Sequence, residues 1–532
     1  MMKFKCYYYS PSVSWDSDSL FFSTPPLYLN SFLRVNHPDI AENVEWQKMQ
    51  FNTLTQQQLI DELNKYQSNV LCVTSYIWNS NLILNVLNGI KKLLGRKITI
   101  IMGGPSTDVV RNKTFLQDNP DLDFAVYSQG EQAFADILQH VSGTKKLSLI
   151  HSKNVSWRDN NKIKVADFQF YKLEKISPYL ISKDLIELAL NDPDYADKEF
   201  VLPYETSRGC PYNCSFCDWT SGLTHKTYFR KFDIEAEIDT LGQLGITNIH
   251  LSDANFGQHK QDIEIAKTFV RLRKEKKYNF KIEKTNFSKL LKDRVFEIVD
   301  VLIEGGLLDN IKFAVQDVNE KILENIERPD IPFEQHRIYI DNVSKKYPQV
   351  NIGIELIQGL PGQTRETWEE NLIKTAPYKP VIYFWNILPN SPAGYDQDYR
   401  NKMQIQTHFC NLIDYTQETD DNTISKSMEF VTSTYSYNFD DYCYFTLLSK
   451  IFTVPELNYS NDLIQRKHLI ALVKQSVFLD ETIKTIKNSI ETHQEFKINQ
   501  SVINFIKNLI RENKDKLPRE YIKSVLLGLK ND

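Results

Sequence analysis

The sequence predicts an α/β protein in three parts: a Rossmann-like domain, a partial (βα)6 TIM-like barrel, and a mostly helical carboxyl-terminal region. Three observations support this. Residues 55–140 alternate short apolar runs with helical stripes, the pattern of a parallel sheet covered by helices on both faces. A second alternation begins at Tyr204 and runs through six βα repeats. Beyond about residue 400 the apolar spacing turns helical. A length of 532 residues suffices for two or three domains, each with its own core.

In the first alternation, Leu59, Ile60 and Leu63 form a helical stripe and Val70–Thr74 a buried strand. Leu82, Val86 and Ile90 recur at helical spacing, while Ile98–Met102 and Phe124–Tyr127 read as further strands. These strands run into the loops Ser75-Tyr76-Ile77-Trp78-Asn79, Gly103-Gly104-Pro105-Ser106 and Ser128-Gln129-Gly130-Glu131. Ligands of doubly wound sheets bind outside the carboxyl ends of the strands, where glycine lets a backbone come close. One Gly-Gly-Pro turn marks only a turn. Three such loops on one sheet edge predict a bound cofactor. Residues 1–145 make this domain, and 146–198 a linker that includes a strand at Lys162–Val165.

The second alternation has strands at Tyr204–Ser207, Asn248–Ser252, Lys281–Thr285, Ile311–Gln316, Asn351–Ile357 and Val381–Leu388. Stripes such as Ile234, Ile238 and Leu241, or Ile263, Phe269 and Val270, lie between them. Residues 199–400 thus form the barrel, with chemistry expected at the carboxyl ends of its strands. Residues 401–532 read as a helical cap or substrate region. Ile483, Ile486 and Ile490 mark one helix, Ile503, Ile506 and Ile510 another, and Pro518 starts a third carrying Val525, Leu526 and Leu529. The aromatics Tyr435, Tyr437, Phe439, Tyr442, Tyr444 and Phe445 read as core or lid packing rather than a binding box. His408, Tyr442 and Cys443 either line a cavity or pack, and no catalytic acid or base is chosen.

Composition narrows the function. Hydrophobic residues make up 41% and charged residues 25%, and a formal net charge of −5 provides no global basic field for nucleic acid. The start lacks the apolar core of a signal peptide, and no apolar run is long enough to span a bilayer, so no membrane partner is expected. Seven mostly isolated cysteines fit a reducing cytoplasm.

Cys210, Cys214 and Cys217 are the exception to that isolation, standing in Arg208-Gly-Cys-Pro-Tyr-Asn-Cys-Ser-Phe-Cys217. The spacing supplies three soft ligands from one short loop. A structural zinc site wants four protein ligands, and only His225, eight residues on, offers a fourth. A chain this long does not need disulfide staples. A four-iron cluster on three thiolates keeps one iron open, and an open metal position is a place for chemistry.

With Phe216 just before the third cysteine, this run resembles the signature of the radical S-adenosylmethionine (SAM) superfamily. The resemblance implies a [4Fe-4S] cluster on Cys210, Cys214 and Cys217, with the open iron chelated by the amino and carboxylate groups of SAM. One electron then cleaves SAM to methionine and a 5′-deoxyadenosyl radical. The run Leu251-Ser-Asp253-Ala-Asn255-Phe-Gly257 departs from the family's common Gly-Gly-Glu, and makes Asp253 and Asn255 the implied holders of the methionine amino group. Gln316 is implied at the ribose or carboxylate. Gly359-Leu-Pro-Gly362-Gln-Thr364 resembles the turn beside the adenine, which gives Gly359, Leu360 and Pro361; its other reading is a tight turn before a helix near Glu366. Phe216 and Glu355 complete the implied SAM set.

The order of the domains resembles the cobalamin-binding class of that superfamily over roughly residues 20–440. It implies cobalamin held by Ser75, Tyr76, Trp78, Asn79, Gly103, Gly104, Pro105, Gly130 and Glu131. The Asp-x-His-x-x-Gly element that supplies a lower axial histidine in many cobalamin proteins is absent, as no histidine has an Asp two residues before it. Members of the class commonly lack it, and the corrin is then held by loop backbone and shape. Trp78 either faces the lower side of cobalt or simply packs. The implied activity is methylation of an unactivated carbon in a small molecule or peptide, with an external flavodoxin- or ferredoxin-like electron donor. Two alternatives stay open: a non-methylating radical oxidation, rearrangement or cyclisation with the same cofactors, and a cobalamin or redox sensor.

Overall fold

The first strand is built from an unusual run, Phe-Lys-Cys-Tyr-Tyr-Tyr, which forms β1 (Phe4–Tyr9) inside a seven-stranded sheet. Phe4, Cys6 and Tyr8 pack on one face and Tyr7 and Tyr9 on the other, so the strand is buried from both sides. The computed structural model describes residues 2–12, 19–107, 114–145, 152–159, 162–172, 176–219, 226–290, 293–328, 330–410, 428–453, 463–492, 495–517, 519 and 522. Next along the chain come β2 (Ser19–Phe21), β3 (Val44–Gln50), β4 (Val70–Thr74), β5 (Thr99–Gly103), β6 (Phe124–Val126), β7 (Val155–Asp159) and β8 (Lys162–Val165). All but β2 join the first sheet, in the order β3-β1-β4-β5-β6-β7-β8. Its ladders are parallel from β3 through β6, and β7 and β8 add antiparallel edges.

The doubly wound reading is found, with differences in detail. β1 and β3 precede the alternation read from the sequence. The strand at Lys162–Val165 is present, and with β7 it continues the sheet into the segment expected to link the domains. Leu59, Ile60 and Leu63 do share a helix, Gln56–Lys65, which a capping box between Thr55 and Gln58 starts. The stripe Leu82, Val86 and Ile90 is split instead. One helix (Ser80–Leu87) stops before Gly89, which turns at φ 77°, and Ile90 opens a short second one.

The six barrel strands are β9 (Glu199–Tyr204), β12 (Asn248–Phe256), β13 (Lys281–Phe287), β14 (Asn310–Gln316), β15 (Asn351–Gln358) and β16 (Pro380–Phe384). Between the first two of these lies a small hairpin of β10 (Ser207–Arg208) and β11 (Tyr228–Phe229). The first strand was expected at Tyr204–Ser207; it ends at Tyr204, and the chain turns so that the cysteine loop leaves from β10. Among the described residues the ladders form two sheets, β13-β12-β9-β2 and β14-β15-β16. β2 comes from the amino-terminal part of the chain and runs parallel to β9, pairing Ser19 with Glu199 and Phe21 with Val201. One strand thus ties the amino-terminal segment to the barrel.

The carboxyl-terminal region begins with an antiparallel pair, β17 (Gln406–Cys410) and β18 (Met428–Ser433), followed by helices at Phe439–Thr453, Leu463–Gln475, Leu479–Glu491 and Glu495–Glu512. Tyr437, Tyr442, Cys443, Tyr444 and Phe445 are core residues, as the packing reading holds, while Tyr435 is exposed. His408 stacks on Phe439 and bonds to the Thr432 hydroxyl. The helix expected from Pro518, with Val525, Leu526 and Leu529, lies outside the described residues, as does His225. No helix among the described residues is long and apolar enough to cross a membrane.

A buried ion pair stands behind the β10–β11 hairpin. Arg230 donates to both carboxylate oxygens of Glu237, at 3.0 and 2.9 Å, and to the Glu205 carbonyl at 2.7 Å. Removing one partner of such a pair strands the other charge in the interior. Glu237→Ala is therefore expected to destabilise the fold by about 3–5 kcal/mol in chemical denaturation; a change under about 1 kcal/mol would mean that water reaches Arg230.

Candidate functional site

The cysteine loop is fastened at its start and in its middle before any ligand is considered. At its start, Asp253 on β12 accepts from the Thr206 and Ser207 N–H groups at 2.8 Å each and from the Thr206 hydroxyl. Burial pushes this carboxyl up to about 7, against the pull of those donors. In the middle, Ser215 donates its N–H to the Ile326 carbonyl, accepts from Ala393 N–H, and receives the Tyr399 hydroxyl at 2.8 Å. Phe216 packs against the cluster of Leu360, Trp385 and Ile387.

Cys210 and Cys214 are buried and Cys217 is half-buried. The Asn255 amide donates to Cys210 Sγ at 3.2 Å, and Lys289 Nζ to Cys214 Sγ at 3.4 Å. Burial pushes the Cys210 thiol up, and Asn255 and the Lys289 charge pull it back. Burial and Asp218 push Cys217 up as well, and the charge of each of the other two thiols adds to this. Three thiols within reach of one another's charge, with donors aimed at two sulfurs, suit thiolate ligation of an iron–sulfur cube, where each sulfur takes a different iron. Ligands of one zinc ion instead crowd within about 2.3 Å of a point. No three His, Cys, Asp or Glu among the described residues are grouped tightly enough to hold a single ion.

The residues expected around SAM fall into two groups. Asn255 and Phe216 belong to the loop environment just described, and Asp253 spends its carboxylate on Thr206 and Ser207. Gln316 ends β14 at φ 68°, and its side-chain oxygen is buried without a hydrogen-bond partner among the described residues. Glu355 accepts the Tyr383 hydroxyl at 3.3 Å and faces the charge of Lys284. Gly359, Leu360 and Pro361 form a turn organised by Gln363, whose Oε1 accepts from the Gly359 and Leu360 N–H groups. Its Nε2 donates to the Ile357 carbonyl and to Asp317. The Leu360 side chain is core.

The loops expected around cobalamin face the barrel. Tyr76 and Trp78 stack at 4.5 Å and 4°, and the edge of Phe21 meets both rings. Asn79 accepts from Tyr76 N–H and donates to the Pro11 carbonyl. Gly103 accepts from the Ser75 N–H. Gly104, at φ 104°, lies so close to the first loop that a Cβ there would stand 2.4 Å from the Ser75 carbonyl oxygen. From the barrel side, Asn390 donates to the Pro105 carbonyl at 2.5 Å. Gly130 leads into the helix Glu131–Val141, and Glu131 pairs with Arg208 at 2.8 Å, two residues before Cys210. Buried polar atoms without a protein partner among the described residues recur on these facing loops: Ser75 Oγ, Thr107 Oγ1, Asn390 Oδ1 and Gln316 Oε1. A buried group left unpaired costs roughly 1–3 kcal/mol, so such atoms fit a site that is completed by a polar ligand.

Sequence reasoning missed Arg208, Lys289, Gln363 and Asn390. Arg208 sits inside the quoted cysteine run, but nothing in one sequence pairs it with Glu131. A cavity of about 790 Å³ opens at the amino-terminal ends of the barrel strands near Glu199, Asn248 and Lys281. Enzymes of barrel type work at the other end. The cysteines lie there, so this cavity and the candidate chemistry do not coincide.

Residues 204–372 match the radical SAM superfamily. The chain is 29% identical over 342 residues to the 2-(S-pantetheinyl)-carbapenam-3-carboxylate methyltransferase of Streptantibioticus cattleyicolor, covering 61% of this chain and 48% of that protein. It is 28% identical over 369 residues to the cobalamin-dependent radical SAM methyltransferase TokK of Streptomyces tokunonensis, covering 67% of this chain and 52% of that one. The chain thus spans about half the length of these relatives. The structure of the cobalamin-dependent SAM radical enzyme OxsB superposes with a TM-score of 0.64 at 14% identity, over 99% of this chain and 83% of that one, a likeness of fold. The cysteine loop at the head of a six-stranded partial barrel therefore belongs to a radical SAM domain. With a doubly wound domain set against it, the chain has the domain order expected of the cobalamin-binding class, and a cobalamin-dependent radical SAM methyltransferase is among the proteins it resembles.

Asp253→Ala tests the anchoring of the loop. Alanine removes the one acceptor shared by the Thr206 and Ser207 N–H groups and the oxygen that meets the Thr206 hydroxyl. A loss of about 2 kcal/mol in denaturant melts is expected, together with reduced iron retention. An unchanged melt and full iron content would show that these contacts do not hold the loop.

Proposed function

We propose that the chain is a cobalamin-dependent radical SAM methyltransferase acting on an unactivated carbon of a small molecule or peptide. The observation that supports it best is the meeting of two carboxyl-terminal strand edges, with unpartnered polar atoms on both. Sequence kinship to two methyltransferases, one named as cobalamin-dependent, points the same way. When bound, the cluster and SAM supply a 5′-deoxyadenosyl radical and cobalamin supplies the methyl group.

The chain's own residues do the positioning. Cys210, Cys214 and Cys217 would hold the cluster, and Asn255 and Lys289 would direct hydrogen bonds to the sulfurs. The free oxygen of Gln316 would accept from SAM, and the turn at Gly359 would border it. Asp253 acts from behind, holding the loop's entry in place. Ser75, Thr107 and the Gly103–Gly104 backbone would meet the corrin, with Trp78 held flat by Tyr76. A flavodoxin- or ferredoxin-like carrier would deliver the electron.

Anaerobic reconstitution with methyl-labelled SAM tests this reading. Wild-type protein is expected to take up iron, sulfide and cobalamin, and to form 5′-deoxyadenosine, S-adenosylhomocysteine and a methylated product from a small-molecule extract. Cys214→Ala is expected to abolish 5′-deoxyadenosine formation, and omission of cobalamin to abolish label transfer. 5′-Deoxyadenosine without S-adenosylhomocysteine or label transfer would sink the methyltransferase assignment and leave a non-methylating radical enzyme.

A further inference from the structure

Beside the cysteine loop lies a buried cation that meets sulfur where a carboxylate would be expected. Lys289 follows β13, and its residue is 8% exposed. Its ammonium nitrogen is 3.4 Å from Cys214 Sγ and 3.7 Å from the centroid of the Tyr212 ring. Asp330, whose charge reaches it, is already committed to Arg328 at 2.9 Å and His336 at 3.0 Å. Cys210 by contrast receives the neutral amide of Asn255. A buried ammonium persists only opposite negative charge, and a cysteine that binds iron does so as a thiolate.

We propose that Lys289 sets the reduction potential of the cluster on Cys210, Cys214 and Cys217 by holding a fixed positive charge against the Cys214 sulfur. The inference rests on the reading of that loop as a [4Fe-4S] ligand set. The step concerned adds one electron from a flavodoxin- or ferredoxin-type carrier. The carrier is oxidised by one electron and the cluster reduced by one; no bond is made or broken, and Lys289 keeps its proton. The added charge is stabilised by a nearby cation, so the reduced form gains more than the oxidised form. The Tyr212 ring helps to keep the ammonium in place through a cation–π contact. Lys289 is a positioning and tuning residue in this account, acting through a ligand.

The test compares wild type with K289M, K289Q and K289R after anaerobic reconstitution. Iron and sulfide per chain, an EPR-monitored redox titration and equilibrium SAM binding are read separately. K289M and K289Q are expected to hold the full cluster but show about tenfold less reduced form at a fixed poise, about 59 mV for one electron. K289R, which keeps the charge, is expected to restore most of the shift. Equal midpoints in wild type and K289M overturn the proposal. So does an unchanged midpoint with about tenfold weaker SAM binding, which would place Lys289 on the methionyl carboxylate. Loss of the cluster from all three variants overturns it as well, making Lys289 an assembly residue. A wild-type chain that takes up no iron and sulfide removes the reading of the loop itself, a result distinct from each of these.

Discussion

Arg208 fixes the two halves of the site relative to each other. Its guanidinium forks onto Glu205 at 2.7 and 2.9 Å, reaches Glu131 at 2.8 Å, and lies over the Tyr28 ring. Glu131 opens a helix of the amino-terminal domain, while Arg208 begins the cysteine run. Buried ion pairs return little net stability, because desolvation offsets the attraction. What they supply is direction: a planar fork with two carboxylates tolerates far less sliding than an apolar patch. Radical chemistry between two cofactors needs that kind of fixed separation, and β2 on the edge of β9 adds a backbone tie between the same two parts.

Much of this was legible along the chain. Strands buried on both faces leave uninterrupted apolar runs, and five of the six barrel strands lie within a few residues of their expected places, while the first ends where it was expected to begin. The cysteine spacing named its chemistry because few sites need three soft ligands from one loop. β2 was missed because three residues carry no periodicity. β1 was missed because its tyrosines read as half-polar, although their rings fill both core layers.

Pairings between distant residues were the least legible. Family resemblance makes Asp253 and Glu131 cofactor contacts. In the fold their carboxylates meet Thr206, Ser207 and Arg208, partners that no spacing along the chain announces. Gln363 shows the converse. In sequence it is one residue of a turn; in three dimensions its amide satisfies Gly359 and Leu360 and passes a bond on to Asp317. Such side chains build the site from behind, and their spacing along the chain carries no trace of it.

The backbone at the facing strand ends is itself under tension. Gln316 and Ser128 adopt φ of 68° and 60°, a region that costs a residue with a Cβ on the order of 1–3 kcal/mol. Each lies just at the carboxyl end of a strand, Gln316 on the barrel and Ser128 on the doubly wound sheet. Gly104 makes the same kind of turn where only glycine fits against Ser75. Strain of this kind persists only where the surroundings over-determine it. Here the surroundings are the interdomain contacts of Arg208 and Asn390, which close the two edges over one another. The oxygen of Gln316 is also buried, with no hydrogen-bond partner among the described residues. A strained backbone and an unsatisfied acceptor on one residue are hard to explain by folding alone, since either could be relieved by another residue at that position. Together they are what a site looks like when its last hydrogen bonds belong to a ligand.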